Sequence, residues 1–75
     1  LELARQLAPL QWMAQANLGA ISLLEGAQES GLRLLREAAR LRGEPLDPES
    51  DRVEIPMLGV ALEEAGLQPG ALVAR

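Results

Sequence analysis

The sequence predicts a mainly α-helical chain in which a long amphipathic helix precedes a short β-α-β element, the whole assembling as a homo-oligomer. Three observations predict this fold. Apolar residues recur at helical spacing from Leu10 to Leu41, a helix stop follows at Arg42-Gly43, and the pattern then changes to short segments between prolines and glycines. Because 75 residues build only a small core, covering the apolar face of a long helix calls for a partner subunit.

Composition divides the chain into three parts. Residues 1–42 form the helical oligomerisation segment, residues 43–51 an acidic linker, and residues 52–75 a strand-helix-strand unit. We expect the linker to be extended and solvated, because it combines two prolines with four acids.

The N-terminal part of the long helix contains three informative residues. Pro9 either starts the helix or kinks a helix that begins before it. Trp12, the only aromatic residue, is expected to anchor a helix-packing surface. Asn17 lies on the apolar face, where we expect its amide to set the packing register or to stay half exposed.

The long helix has two adjacent apolar stripes, one with three-then-four spacing and one that repeats every seventh residue. Together they form a face wider than a two-stranded coiled coil needs, so we expect a homodimer or a homotetramer. The large side chains expected at the oligomer interface are Leu10, Met13, Ile21, Leu24, Leu34, Leu35 and Leu41.

Three glycines lie inside the predicted helix. Gly19, Gly26 and Gly31 each cost roughly 1 kcal/mol relative to alanine in a helix interior. We expect close packing of another backbone against the small residues around Gly19 and Gly26 to offset this cost. The alternative is a hairpin with its break near residues 17–19 or 29–31, since both segments are turn-like.

The end of the long helix is the clearest signal in the chain. Arg36, Arg40 and Arg42 lie where the helix dipole favours cations, and Gly43 can adopt the left-handed capping conformation. We therefore expect the helix to end at Arg42, to within a residue or two.

Beyond the linker, the pattern predicts a strand, a helix and a second strand. Residues 52–56 are short, alternating and closed by a proline, which is typical of a strand. Residues 57–65 have helical spacing and end at Gly66. A turn follows at residues 68–70, and residues 71–74 open the second strand.

The same segment contains an ordered set of motifs. Arg52-Val53 and Ile55-Pro56 precede the run Leu-Glu-Glu-Ala-Gly-Leu at residues 62–67, and Pro69-Gly70 and Val73 follow it. This order resembles the strand, Ile-Pro, helix, Gly-Leu-x-Pro-Gly, strand unit of the AbrB/MazE-like swapped-hairpin family of transcription regulators and antitoxins. The resemblance implies an interleaved dimer that contacts DNA through basic residues of the strand-loop region, where Arg52 is the match.

If DNA is the partner, the plausible phosphate contacts are Arg33, Arg36, Arg40 and Arg52. The charge distribution argues against it. The chain has five arginines and four acids up to Arg42 but two arginines and seven acids from Gly43 onward, for a net charge of −4. An acidic C-terminal third repels phosphate backbones.

The composition disfavours catalysis and metal binding. Without histidine or cysteine the serines have no imidazole to activate them, and thiolate and most transition-metal ligands are missing. No apolar run approaches the roughly 20 residues of a membrane span. We therefore expect a cytoplasmic, non-enzymatic oligomerisation module without cofactor or metal, with a further protein partner at its C-terminal unit. The alternative is an AbrB-like DNA-binding regulator or antitoxin.

Overall fold

The computed structural model describes residues 2–72 and consists of three α-helices and a 3₁₀ turn. Helix α1 spans Glu2–Leu24, α2 spans Gln28–Arg42, α3 spans Leu58–Ala65, and the 3₁₀ turn spans Pro69–Leu72. The first two helices form a hairpin, α3 packs on α1, and the 3₁₀ turn packs on α2.

The predicted single long helix is a hairpin, as the alternative hypothesis allowed, but neither of the two proposed break points is correct. The break lies at residues 25–27, where Gly26 has φ of 90°. The Gly26 amide donates to the Leu23 carbonyl and the Ala27 amide to the Ser22 carbonyl, which is the Schellman pattern of a helix end. Gly26 is therefore a capping residue, whereas Gly19 and Gly31 lie within α1 and α2.

Gly19 of α1 and Gly31 of α2 are in backbone contact. A Cβ atom built on Gly19 would lie 2.9 Å from the Gly31 carbonyl oxygen, and one built on Gly31 would lie 2.9 Å from the Gly19 carbonyl oxygen. Both positions are buried. The expected close backbone packing at Gly19 therefore occurs between the two arms of one chain.

The core lies between the hairpin and the C-terminal segments. Its largest fully buried side chains are those of Leu35, Ile55, Leu58 and Leu72. The other buried apolar residues are Trp12, Ala16, Ala20, Leu23, Ala38, Ala39, Leu46, Ala61 and Leu62. Trp12 is thus a packing anchor, as predicted.

Two helix boundaries agree with the prediction. Helix α2 ends at Arg42, and Gly43, with φ of 91°, donates its amide to the Ala39 carbonyl. Helix α3 ends at Ala65, followed by Gly66 in the left-handed conformation. Helix α1 continues through Pro9, so the chain is already helical before that proline.

The predicted β-α-β element is wrong, because no strand is present within residues 2–72. Residues 52–54 lie in turns instead. The Ile55 amide donates to the Asp51 carbonyl and the Leu58 amide to the Ile55 carbonyl, so local bonds use donors that a strand would offer to a neighbour. The Ile55 side chain is buried in the helical core, so it leaves water without the segment pairing as a strand.

The second predicted strand is also replaced where the structure describes it. Ala71 and Leu72 belong to the 3₁₀ turn, with the Ala71 amide donating to the Gln68 carbonyl. Residues 73 and 74, the rest of that predicted strand, lie outside the described residues. The middle element of the unit, the helix predicted at residues 57–65, is confirmed as α3.

Gly19→Ala tests the backbone contact that joins α1 to α2. Its new Cβ would meet the Leu35 Cγ atom at 2.8 Å and the Gly31 carbonyl oxygen at 2.9 Å. We expect this overpacking to outweigh the better helix propensity of alanine and to lower the free energy of unfolding by about 1–2 kcal/mol. The measurement is urea unfolding followed by circular dichroism.

Gly59→Ala in α3 is the matched control. A Cβ at this exposed position would contact only the Pro48 Cβ atom, at 3.9 Å. We expect this variant to be unchanged or more stable by about 0.4–1 kcal/mol. Equal stabilisation by both substitutions would mean that the helices do not touch at Gly19.

Candidate interaction surface

The outer face of α1, which consists of Leu10, Ala14, Leu18 and Ile21, is exposed to solvent. Leu10 is 60%, Leu18 57% and Ile21 46% exposed. These residues recur at intervals of four, four and three, so they form one stripe along the helix. Leu10 precedes Gly19 by about two and a half turns, which puts it opposite the α2 contact. The stripe is therefore an apolar face that the chain itself leaves uncovered.

No charged residue of α1 interrupts this face, and Glu25, four residues after Ile21, lies at its C-terminal end. The sequence has no acidic or basic residue between Arg5 and Glu25, and the polar residues there are glutamines, Asn17 and Ser22. Scattered exposed leucines are ordinary, but an uncharged stripe three turns long is the kind of patch that marks an interaction site. No helix in the described part of the chain has the length and apolar character to cross a bilayer.

The residues predicted for the oligomer interface fall into three groups. Leu10, Ile21, Leu24 and Leu41 are exposed, Met13 and Leu34 are half-buried, and Leu35 is fully buried. Leu35 packs against Gly19 inside the hairpin, so it has no surface to offer a partner.

Leu18 was missing from that prediction, although its spacing to Ile21 and Leu10 is helical. The prediction assumed one continuous helix and assigned α1 and α2 residues to a common face. Once the chain turns at Gly26, each arm has its own inner and outer sides, and Leu18 comes to the outer side of α1.

Asn17 connects α1 to the segment before α3. Its side-chain amide donates to the Met13 carbonyl at 2.9 Å and to the Glu54 carbonyl at 3.1 Å. Asn17 follows Leu10 by seven residues, or about two turns, so it lies at the edge of the outer face and the second bond holds this segment beside that face. Val53, the neighbour of Glu54, is 82% exposed, and Met57 is also exposed. They extend the apolar surface that a partner could cover.

Arg42, the last residue of α2, is the centre of a polar cluster. Its Nη1 donates to the Asp51 carboxylate and its Nη2 to the Pro45 carbonyl, each at 2.6 Å. Its guanidinium carbon lies 4.6 Å from the centre of the Trp12 ring, within the range of a cation–π interaction. One side chain thus ties α1, α2 and the segment at residues 43–51 together.

Asp51 is buried, and both of its carboxylate oxygens accept hydrogen bonds. It accepts hydrogen bonds from Arg42 and, at 2.8 Å, from the Asp47 amide. Burial alone would raise the pKa of Asp51, but the Arg42 and Asp47 hydrogen bonds and the Arg42 charge together lower it. The Asp51 hydrogen bond likewise raises the pKa of Arg42. Leu46 is also buried, so Leu46 and Asp51 anchor the segment at residues 43–51 on the core, while most of its other residues are exposed as expected of a solvated connection.

The arginines proposed as phosphate contacts are all exposed, but two of them already bind other groups of the chain. Arg36 donates from Nε to the Ala71 carbonyl at 3.1 Å. Arg40 pairs with Glu37, and this hydrogen bond lowers the pKa of Glu37. Arg33 lies on the same side of α2, and Arg52 lies in the turn before α3. Glu29 and Glu37 are interspersed with the α2 arginines, so that surface has mixed charge.

No group of three acidic side chains converges to hold a metal ion within the described residues. No protein-family model, no curated protein and no solved structure matches the chain. The geometry of its own residues is therefore what bears on function.

Asp51→Asn tests the polar cluster. It removes the hydrogen-bonded counter-ion of the Arg42 guanidinium, whose side chain is 15% exposed, and leaves it the more distant Glu44 carboxylate, 3.8 Å from Nε, as an ion-pair partner. We expect the free energy of unfolding at pH 7 to fall by about 2–3 kcal/mol. Because the folded-state pKa of Asp51 is lowered, the contribution of this carboxylate is present at neutral pH and is lost as the pH falls below about 4. The difference between the two proteins should therefore shrink in acid, as measured by urea unfolding at several pH values.

Glu49→Gln is the control, because Glu49 is an exposed acid in the same turn. It should leave stability nearly unchanged. If Asp51→Asn and Glu49→Gln behaved alike, the Arg42 cluster would not contribute to folding.

Proposed function

We propose that the chain is a non-enzymatic protein-interaction module that self-associates through the outer face of α1. The observation that supports this most is the exposed, uncharged stripe formed by Leu10, Ala14, Leu18 and Ile21. A small domain gains stability when a partner covers such a face, because each apolar group that leaves water contributes favourably.

Charge favours a second copy of this chain as the partner. The protein has a net charge of −4, and seven of its eleven acids follow Gly43. Two copies that meet at a face without charge bury no acid against another acid, so association is not opposed by short-range repulsion.

A lipid surface is a poorer fit for the same face. Helices that lie on membranes usually flank their apolar side with lysine and arginine, which attract anionic headgroups. In this chain one flank of the stripe consists of Gln11, Gln15 and Ser22 and the other includes Met13 and Asn17, so neither is basic, and the net charge is negative.

The size of the face indicates a modest affinity. Leu10, Leu18 and Ile21 are each about half exposed, so covering one of them contributes roughly 1 kcal/mol. That is roughly 6 kcal/mol for two copies, whereas association itself costs about 4–15 kcal/mol. Leu24, Val53 and Met57 also have exposed apolar surface to contribute. We therefore expect an assembly that dissociates on dilution.

DNA has less support as the partner. The α2 arginines are interspersed with acids, and the β-α-β unit on which the AbrB-like resemblance depended is a helix flanked by turns within residues 52–72. A strongly salt-dependent association with duplex DNA at low ionic strength would reverse this order and favour DNA over a second copy of the chain.

Ile21→Asp is the direct test of the proposed function. A carboxylate at Ile21, the last residue of the stripe, would be buried unpaired on association, so it should abolish assembly while leaving the fold intact. The measurement is solution mass by light scattering during size exclusion over a range of protein concentrations, with circular dichroism to verify folding.

Val60→Asp is the control, since Val60 is 49% exposed on α3 rather than α1. It should keep the concentration-dependent mass of the original chain. A chain that stays monomeric at high concentration, or one that loses assembly through Val60→Asp but not Ile21→Asp, would contradict the proposal.

A further inference from the structure

We infer that the two copies pack their α1 helices antiparallel, with a two-fold axis near residue 16 and Leu10 of each chain against Ile21 of the other. The inference rests on the proposed self-association and adds its orientation. It follows from the order of large and small side chains along the stripe and from the position of Glu25 at its end.

Side-chain size distinguishes the two orientations. In a parallel pair every residue meets its own copy, so Ala14 faces Ala14 and the layer is underfilled between layers of leucine and isoleucine. In the antiparallel pair Ala14 of each chain faces Leu18 of the second copy, and Leu10 faces Ile21. Each layer then combines side chains that fill the space more evenly, as close packing between helices requires.

The position of Glu25 favours the same orientation. This exposed acid follows Ile21 by four residues and its amide donates to the Ile21 carbonyl, so it lies at the C-terminal end of the stripe. A parallel pair would set the two copies of Glu25 at the same height beside the interface. An antiparallel pair with its axis near residue 16 separates their levels by about 27 Å, which exceeds the Debye length at physiological ionic strength.

The antiparallel arrangement makes a distance prediction that a parallel one does not share. With the axis near residue 16, Leu10 of one chain lies within about one residue rise of Ile21 of the other. The two copies of Leu10 are then roughly 17 Å apart along the helices. In a parallel pair the two Leu10 side chains would be in contact.

Disulfide trapping measures this directly, because the chain contains no cysteine of its own. Leu10→Cys and Ile21→Cys are made separately, and both sites are exposed enough to leave the fold intact. Each reduced variant is first shown to associate by light scattering. The variants are then oxidised mildly, alone and mixed, and the products are separated under denaturing conditions.

We expect the mixture to form the Leu10→Cys with Ile21→Cys heterodimer at least about tenfold faster than either variant crosslinks to itself. Leu10→Cys with Val60→Cys is the control for random collision and should crosslink slowly. Rapid crosslinking of Leu10→Cys to itself, or equal rates for all pairs, would overturn the antiparallel orientation.

A second pair leaves the apolar stripe unchanged. Gln11→Cys and Ser22→Cys lie on the same flank of α1. A short bis-maleimide should join them in the antiparallel pair, where this flank of both copies lies on one side of the interface. In a parallel pair the flank of each copy lies on opposite sides of the interface, so neither variant should be joined efficiently to the other or to itself. Failure of the antiparallel orientation and failure of the proposed self-association give different results. A stable dimer that crosslinks only like to like contradicts the orientation but keeps the proposed function, whereas a monomer contradicts both.

Discussion

The backbone contact between Gly19 and Gly31 is the constraint on which the rest of the structure depends. Because neither residue has a side chain, α1 and α2 approach closely enough for Leu23 and Leu35 to pack around the crossing. This contact decides which side of α1 faces inward. The opposite side, centred on Ala14, then has no element of the described chain to cover it. The interaction surface is thus a consequence of how the hairpin closes.

The second constraint is Arg42, which joins the open end of the hairpin to the acidic segment. Aromatic, carboxylate and carbonyl partners surround one guanidinium, so its partial burial is compensated on several sides. Asp51 also accepts from the Asp47 amide and so shapes the turn before α3. The cluster explains how a segment rich in acids packs on an apolar core, and why its charge stays away from the outer face of α1.

Sequence patterns predicted the helical character, the end of α2 and the helix before Gly66, because these depend on local spacing and on left-handed capping by glycine. They did not reveal which of three helical glycines makes the turn. Gly19, Gly26 and Gly31 look alike in their local sequence. Only the tertiary contact distinguishes a glycine at which two helices cross from a glycine that caps a helix. The prediction of a strand at residues 52–56 was wrong for a related reason. An alternating pattern of apolar and polar residues indicates a strand only when another strand is present to pair with it.

The most direct test of the central claim is an isotope-filtered nuclear Overhauser experiment on a mixture of labelled and unlabelled chains. The experiment separates contacts within one chain from contacts between chains. We expect the Hα protons of Gly19 and Gly31 to be close within a single chain, whereas the side chains of Leu10 and Ile21 should be close only between chains. A Gly19–Gly31 contact found only between chains would contradict the hairpin, because α1 and α2 would then form one continuous helix that pairs with another copy.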